Sequence, residues 1–183
     1  MHMSNSKNEP VIKDQLLQRL KSKDSHWIDG DAEQGKENQK TVDLVNHESK
    51  IAIEIKDVTY SLLSNHRENL KKLNNVLMDA LQDSCLKFSK YPRYKTCLFI
   101  LSNDDDLSIV EYALLGCVAF TKPNGSLVEI PRTKKYKDNI WNNTGCFVLF
   151  YSQSNYKFVV NPYLKNDIRK MDQEVVEKML RSI

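Results

Sequence analysis

The sequence lacks the features that mark several specialised classes of protein. It holds four cysteines among 183 residues, and none forms the C-x-x-C pair of a zinc site. Five glycines and five prolines are too few for a repetitive or linker-dominated chain. No apolar run approaches the roughly 20 residues of a membrane-spanning helix, and no secretory signal pattern opens the chain. We therefore expect a cytoplasmic protein with reduced cysteines and no membrane contact.

Neither sign of charge dominates the sequence. Lysine and arginine together number 27 and aspartate and glutamate 24, which leaves a net charge of +3. This balance permits nucleic-acid binding without indicating it, since dedicated binding domains are usually more basic. With 40% hydrophobic residues the chain can bury a core, and we expect residues 9–183 to form one domain. Residues 1–8 are expected to be a disordered tail or a remnant of cloning.

Hydrophobic spacing predicts an alternation of helices and strands. Apolar residues recur at helical spacing in four segments, at 11–23, 61–90, 107–120 and 166–183. Strand patterns occur at 26–28, 41–45, 51–56, 95–101, 146–151 and 156–160. Residues 29–40 are polar and are predicted to form an exposed loop. The order indicates an α/β fold with a mixed central sheet flanked by helices.

The strands at 41–45 and 51–56 carry the clearest functional signal. Strand side chains alternate between the two faces of a sheet. In the second strand the isoleucines at 51, 53 and 55 form a core face, so Glu54 and Lys56 share the opposite face.

The face of Asp43 depends on the turn between these two strands. A four-residue loop at 46–49 would pair Val45 with Lys50. Asp43 would then lie opposite Ala52, on the same face as Glu54. A loop one residue longer or shorter would move Asp43 to the isoleucine face. We predict the first arrangement, which brings two carboxylates close to the ammonium of a lysine.

Carboxylate oxygens suit a hard divalent cation such as Mg²⁺ or Mn²⁺. Such an ion polarises a phosphoryl group and favours a hydroxide nucleophile, and a neighbouring lysine can orient the water and stabilise developing charge. The predicted cofactor is therefore Mg²⁺ or Mn²⁺, and the predicted chemistry is hydrolysis of a phosphodiester.

The pattern of Asp43, ten residues, and Glu54-Ile55-Lys56 resembles that of the PD-(D/E)XK nucleases, the restriction-endonuclease-like superfamily. The resemblance covers about residues 11–101, and Val42 stands where the family name has proline. It implies a restriction-endonuclease-like fold and a nuclease that acts on DNA in preference to RNA, as an endonuclease in preference to an exonuclease. It also implies that Asp43 and Glu54 bind the metal and that Lys56 is the catalytic lysine.

Some members of the superfamily add an acidic residue from the first helix. Asp14 is the first candidate for that position, and Glu9 is the second. An acidic first turn is normal for any helix, so the residue type alone does not decide between them.

A basic segment with aromatic neighbours suits phosphate contacts and base stacking, although its composition equally fits a solvated loop. Its cations are Arg132, Lys134, Lys135 and Lys137.

Two alternatives to a nuclease remain open. One is a catalytically inactive nuclease-like domain that binds nucleic acid or a protein partner. The other is an unrelated α/β interaction domain. A homodimer is one option for the assembly, because cutting both strands of a duplex often calls for two active sites.

Overall fold

A computed structural model gives the three-dimensional structure of the chain. It describes residues 9–32, 41–59, 66–115, 117–131, 142–152, 154–164 and 167–180. The N-terminal tail predicted at residues 1–8 lies outside these ranges. Within the described residues, no helix combines the length and the apolar character needed to cross a membrane.

The described chain contains four α-helices, eight strands and a short 3-10 helix. The helices are α1 (Glu9–Lys23), α2 (His66–Phe88), α3 (Leu107–Leu115) and α4 (Gln173–Leu180), and the 3-10 helix is Asp167–Arg169. The strands are β1 (Trp27–Asp29), β2 (Leu44–Asn46), β3 (Ile51–Val58), β4 (Lys95–Ser102), β5 (Cys117–Thr121), β6 (Leu127–Pro131), β7 (Cys146–Ser152) and β8 (Asn155–Val160).

Six of the strands form one open, mixed sheet in the order β1-β2-β3-β4-β7-β8. Strands β3, β4 and β7 are adjacent in the sheet and run parallel to one another. The pairs β1–β2, β2–β3 and β7–β8 are antiparallel. Strands β5 and β6 form a separate two-stranded sheet. The predicted α/β class with a mixed sheet flanked by helices is confirmed.

Helices cover both faces of the large sheet and divide the core into two layers. Residues of α2 and α3 pack against one face, where Ala52 and Leu98 are buried. Residues of α1 and α4 pack against the other face, where Ile53 and Ile55 are buried. The alternation along β3 therefore separates two cores, as expected of a strand covered on both sides.

The predicted helix at 107–120 is wrong in its second half. Helix α3 ends at Leu115, and strand β5 begins at Cys117. The sequence has a glycine at position 116, which favours an interruption, and a Pro-Asn-Gly turn at 123–125. Gly125 adopts the left-handed conformation with φ of 82°. The hairpin β5–β6 that results was not predicted.

The predicted C-terminal helix at 166–183 begins later in the structure, where α4 covers Gln173–Leu180. The preceding 3-10 turn directs Arg169 into the protein, and its guanidinium donates hydrogen bonds to the carbonyls of Phe88 and Asn143. Gly145 permits this approach, because a Cβ atom there would lie 1.7 Å from the carbonyl oxygen of Arg169. A buried arginine thus replaces what would have been the first helical turns.

Candidate active site

The hairpin of β2 and β3 brings Asp43 to the level of Glu54. Val45 pairs with Ala52 and Asn46 with Ile51, so the turn occupies residues 47–50. The predicted pairing of Val45 with Lys50 is wrong by two residues. Because two is an even number, the shift does not change which of the paired residues share a face. Asp43 lies one residue before β2, and its charge acts on Glu54.

Asn46 explains the later position of the turn. Its side-chain oxygen accepts a hydrogen bond from the Ser49 amide at 2.9 Å, and its side chain is fully buried. Lys50 closes the turn with a φ of 53°. Asparagine favours such local bonds to the backbone, so Asn46 ends the strand and also organises the turn.

Glu54 is fully buried, with 0% of its surface exposed, on the face of β3 that contacts α2. Its Oε1 atom lies 2.7 Å from the Lys56 ammonium and 2.5 Å from the Lys87 ammonium. The Lys56 ammonium also contacts Asp83 Oδ2 at 2.6 Å. Asp83 and Lys87 are four residues apart on α2, a spacing that sets both on one side of the helix. We call these four residues the Glu54 cluster.

Asp43 and Glu9 lie along the edge of β3. Only residues 51–53 of β3 pair with β2, so the edge beyond them has no partner from that strand. The Ile55 amide donates a hydrogen bond to Asp43 Oδ2 at 2.7 Å, and the Asp57 amide donates one to Glu9 Oε2 at 3.4 Å. Amides two residues apart in a strand point to the same edge, so these carboxylates are neighbours.

The ionisation of these groups reflects burial and their mutual charges. Burial raises the pKa of Glu54 to about 8, and the negative charge of Asp43 adds to this effect against Lys87 and Lys56. Burial and Asp43 likewise raise the pKa of Glu9. Burial opposes the positive charge of Lys56, yet Glu54 and Asp83 outweigh it and raise the Lys56 pKa.

One oxygen in the Glu54 cluster lacks the hydrogen bond that a buried polar atom normally makes. Glu54 Oε2 is buried and has no hydrogen-bond partner among the described residues. A buried carboxyl oxygen normally has a hydrogen-bond donor or a cation as its partner, because burial without a partner costs free energy. The carboxyl oxygens of Glu54 and Asp43 are of the ligand type that a hard divalent cation such as Mg²⁺ or Mn²⁺ prefers, and Glu9 lies near Asp43.

A second group of charges surrounds Lys13 of α1, whose side chain is 13% exposed. Its ammonium lies 2.8 Å from Asp29 Oδ1, 2.7 Å from Asp31 Oδ2 and 3.8 Å from Asp43 Oδ1. We call these residues the Lys13 cluster. This cluster is not predicted from the sequence, because the polar pattern of residues 29–40 is typical of an exposed loop.

Gly30 allows Asp29 and Asp31 to lie close to Asp43. Its amide donates a hydrogen bond to the carbonyl oxygen of Asp43 at 2.9 Å. A Cβ atom at Gly30 would lie 1.9 Å from the carbonyl oxygen of Val42, so only glycine permits this close approach.

The other predicted site residues are the two acidic candidates of α1 and the cations of the basic segment. Asp14 is exposed on α1, whereas Glu9 contacts β3 beside Asp43. Of the two first-helix candidates, the structure therefore brings the second one to the site. Arg132, Lys134, Lys135 and Lys137 lie outside the described residues.

Two further features lie near β2 and β3. At the far end of β2, His26 Nδ1 lies 2.7 Å from both Asp24 and Glu48, on the surface. A cleft of about 320 Å³ also lies between α1 and the sheet, near the end of β3. Its lining includes Asp57, and its volume is at the lower end of the range for small-molecule sites.

No protein-family model, curated protein or solved structure matches this chain.

Proposed function

We propose that this protein is a metal-dependent nuclease that hydrolyses phosphodiester bonds of nucleic acid, with DNA as the favoured substrate. The observation that carries the proposal is the partnerless, buried Glu54 Oε2 atom beside Asp43, with the Lys56 ammonium on the other oxygen of the same carboxylate. Two acidic groups and a lysine in this arrangement suit the binding of a divalent cation and the hydrolysis of a phosphate ester.

The order of elements supports a restriction-endonuclease-like fold. Helix α1 precedes the antiparallel strands β1, β2 and β3, and helix α2 then leads to β4, which runs parallel to β3. This order of helix, strands, helix and strand is the one on which the resemblance to the PD-(D/E)XK nucleases rests. Asp43 precedes β2, and Glu54 and Lys56 belong to β3, as the motif requires.

Each residue of the site has a chemical role in the proposed reaction. Asp43 and Glu54 would hold Mg²⁺ or Mn²⁺, and the ion would supply charge stabilisation at the phosphate and a lowered pKa for water. Lys56 orients the attacking water and stabilises the negative charge that develops on the phosphoryl oxygens. Asp83 holds the ammonium of Lys56 in position, and Lys87 does the same for the carboxyl group of Glu54.

The experiment is a cleavage assay on supercoiled, linear, branched and single-stranded DNA and on RNA, with Mg²⁺, Mn²⁺ or EDTA. We expect metal-dependent cleavage that is lost in Glu54→Ala and in Lys56→Ala. Glu174→Ala is the matched control, because Glu174 lies on the exposed face of α4. Cleavage that survives both site substitutions would exclude the assigned residues.

The alternative function is a catalytically inactive nuclease-like domain that binds nucleic acid or a protein partner. The two ammonium groups already bound to Glu54 Oε1 favour it, because they neutralise part of the charge that would attract a metal. Binding of DNA in EDTA without cleavage in Mg²⁺ or Mn²⁺ would support this alternative. Sedimentation of the protein with and without DNA would test for a homodimer in the same samples.

A further inference from the structure

The cleft near the end of β3 lies where open α/β sheets commonly bind ligands. Strands β3, β4 and β7 are adjacent and parallel, and each contributes residues from its carboxyl end to the lining. In open sheets of this kind, ligands bind in the crevice outside the carboxyl ends of the strands. The volume of about 320 Å³ suits one small ring system rather than an extended ligand.

A row of three side chains forms the floor of this cleft. Asp57 pairs with Leu101, and Leu101 pairs with Phe150, so the three residues share the face of the sheet that α1 covers. Leu101 and Phe150 are each only 6% exposed. Val11 and Ile12 of the first turn of α1 add further apolar lining. The floor therefore offers apolar contact, with one carboxylate at its end.

Tyr151 lines the cleft as an exposed aromatic side chain. The pairing of β7 with β8 is irregular between Phe150 and Ser152, so Tyr151 is the extra residue of a β-bulge. Bulges change the direction of a side chain and are frequent beside binding sites. The side chain of Tyr151 is 46% exposed and lines the cleft together with Phe150. An exposed tyrosine beside an apolar floor is suited to stacking on a flat ring.

The polar groups of the cleft favour a neutral ligand that donates hydrogen bonds. Asp57 is the charged residue of the described lining, which includes neither lysine nor arginine. This composition disfavours a phosphate group inside the cleft. Asp57 Oδ1 accepts a hydrogen bond from the hydroxyl of Thr59. Because a carboxylate has about four acceptor positions, Asp57 can also accept hydrogen bonds from a ligand.

The cleft adjoins the proposed active site along β3. Lys56 immediately precedes Asp57, and successive side chains of a strand point to opposite faces. The Asp57 amide donates a hydrogen bond to Glu9 Oε2, and Glu9 lies near Asp43. Strand β2 does not pair with this part of β3. The end of β3 thus has the proposed catalytic lysine on one face and the cleft on the other.

We propose that this cleft binds one unpaired nucleobase of the substrate, a base that carries an exocyclic amino group. The ring stacks on Tyr151 above the floor formed by Leu101 and Phe150, and its amino group donates to Asp57. Adenine, cytosine and guanine have such a group, whereas thymine and uracil have carbonyl oxygens in its place. This role rests on the proposed function. Its consequence is a preference for substrates whose bases are unpaired near the cut, since a paired base is not free to enter.

The test measures the binding of free nucleosides in EDTA, without any cleavage assay. Saturation-transfer nuclear magnetic resonance gives the dissociation constants of deoxycytidine and thymidine for the unmodified protein, Tyr151→Ala, Tyr151→Phe and Asp57→Asn. Tyr112→Ala is the matched control, because Tyr112 is a tyrosine of α3 with a similar exposure of 47%. Circular dichroism checks that each variant is folded.

We expect saturable binding of deoxycytidine at millimolar concentration and binding of thymidine that is about tenfold weaker, the scale of one hydrogen bond to a charged group. Tyr151→Ala should weaken deoxycytidine binding by roughly 5- to 150-fold, the range for loss of a stacking aromatic residue. Tyr151→Phe and Tyr112→Ala should change it by less than about twofold. Asp57→Asn should remove most of the difference between the two nucleosides, because an amide also offers donors.

Three results would overturn the proposal. The first is absence of saturable deoxycytidine binding by the unmodified protein. The second is equal binding by folded Tyr151→Ala and Tyr112→Ala. The third is a preference for deoxycytidine that Asp57→Asn leaves unchanged, and this comparison within one protein holds even if Tyr151→Ala does not fold. Failure of the nuclease proposal would appear separately, as absence of metal-dependent cleavage by an unmodified protein that still binds deoxycytidine.

Discussion

The Lys13 cluster and the Glu54 cluster balance their charges in opposite ways. In the Lys13 cluster a single ammonium serves three carboxylates, and every carboxylate lies within 4 Å of it. In the Glu54 cluster two ammonium groups converge on one oxygen of a buried carboxylate, and the other oxygen has no partner. Asp43 adjoins both clusters, so the same residue links a filled site with an incomplete one.

From this difference we infer that the number of lysines near a carboxylate does not decide whether it can accept a metal ion. The deciding feature would be an oxygen that the chain leaves without a partner, since a buried and unsatisfied oxygen has the most to gain from an external cation. By this criterion we propose the Glu54 cluster as the place for a cofactor, whereas the ammonium of Lys13 supplies the positive charge of its own cluster.

The largest effect on cleavage should come from replacing the two lysines of the Glu54 cluster one at a time. We expect Lys56→Met to slow single-turnover cleavage by roughly 10²- to 10³-fold, the scale for loss of a group that stabilises transition-state charge. Lys87→Met should cost only about tenfold, as for a residue that orients a ligand. Lys72→Met, on the exposed side of α2, is the control. Equal losses for Lys56 and Lys87 would contradict the distinct roles.

A smaller effect concerns pH. With a Glu54 pKa of about 8, metal binding must displace a proton at neutral pH. Apparent Mn²⁺ affinity should rise by up to about tenfold per pH unit below pH 8 and level off above it. Without metal, the folded state holds a proton that the unfolded chain releases, so the free energy of unfolding should fall as pH rises from about 4.5 to 8.

Glu54→Gln provides the control for this pH dependence, because it cannot titrate. The decline in the free energy of unfolding between pH 4.5 and 8 should be smaller in this variant. The Lys13 cluster should contribute no such change, since its aspartates raise the Lys13 pKa against the effect of burial. Mn²⁺ affinity of the unmodified protein that is constant from pH 6 to 8.5 would contradict the assignment.

The smallest effect should distinguish the two acidic residues of α1. Glu9→Gln should reduce metal affinity or cleavage by about tenfold, because Glu9 lies on the β3 edge beside Asp43. Asp14→Asn should leave both within about twofold, as expected for an exposed side chain. Isothermal titration with Mn²⁺ and a cleavage assay measure the two quantities. A larger loss for Asp14→Asn would reverse the choice between the candidates.

The sequence predicted the parts of the site that depend on short-range periodicity. Alternation along β3 separates Glu54 and Lys56 from the isoleucines, and the even shift of register preserves the faces of the paired residues of β2. The same reasoning predicted the six strands of the large mixed sheet. It could not choose Glu9 over Asp14, because that choice depends on the rotation of α1 about its own axis against the sheet.

The remainder of the site depends on contacts between distant segments. Lys13 meets Asp29 and Asp31 only because Gly30 packs against the backbone at Val42. Lys87 and Asp83 were visible as an i, i+4 pair on a helix, but such pairs are common on solvated helices. Their contact with Glu54 requires the packing of α2 on β3, which no local pattern specifies.

The two carboxylates on the β3 edge have a consequence for the solution behaviour of the protein. Unpaired amides on a strand edge invite pairing with the strand of another molecule, which leads to aggregation. Asp43 and Glu9 accept hydrogen bonds from the Ile55 and Asp57 amides and place negative charge there. Variants that remove both acids would expose this edge, so they would lose solubility as well as activity. The residues proposed for chemistry would thus also disfavour pairing of this strand edge with a strand of another molecule.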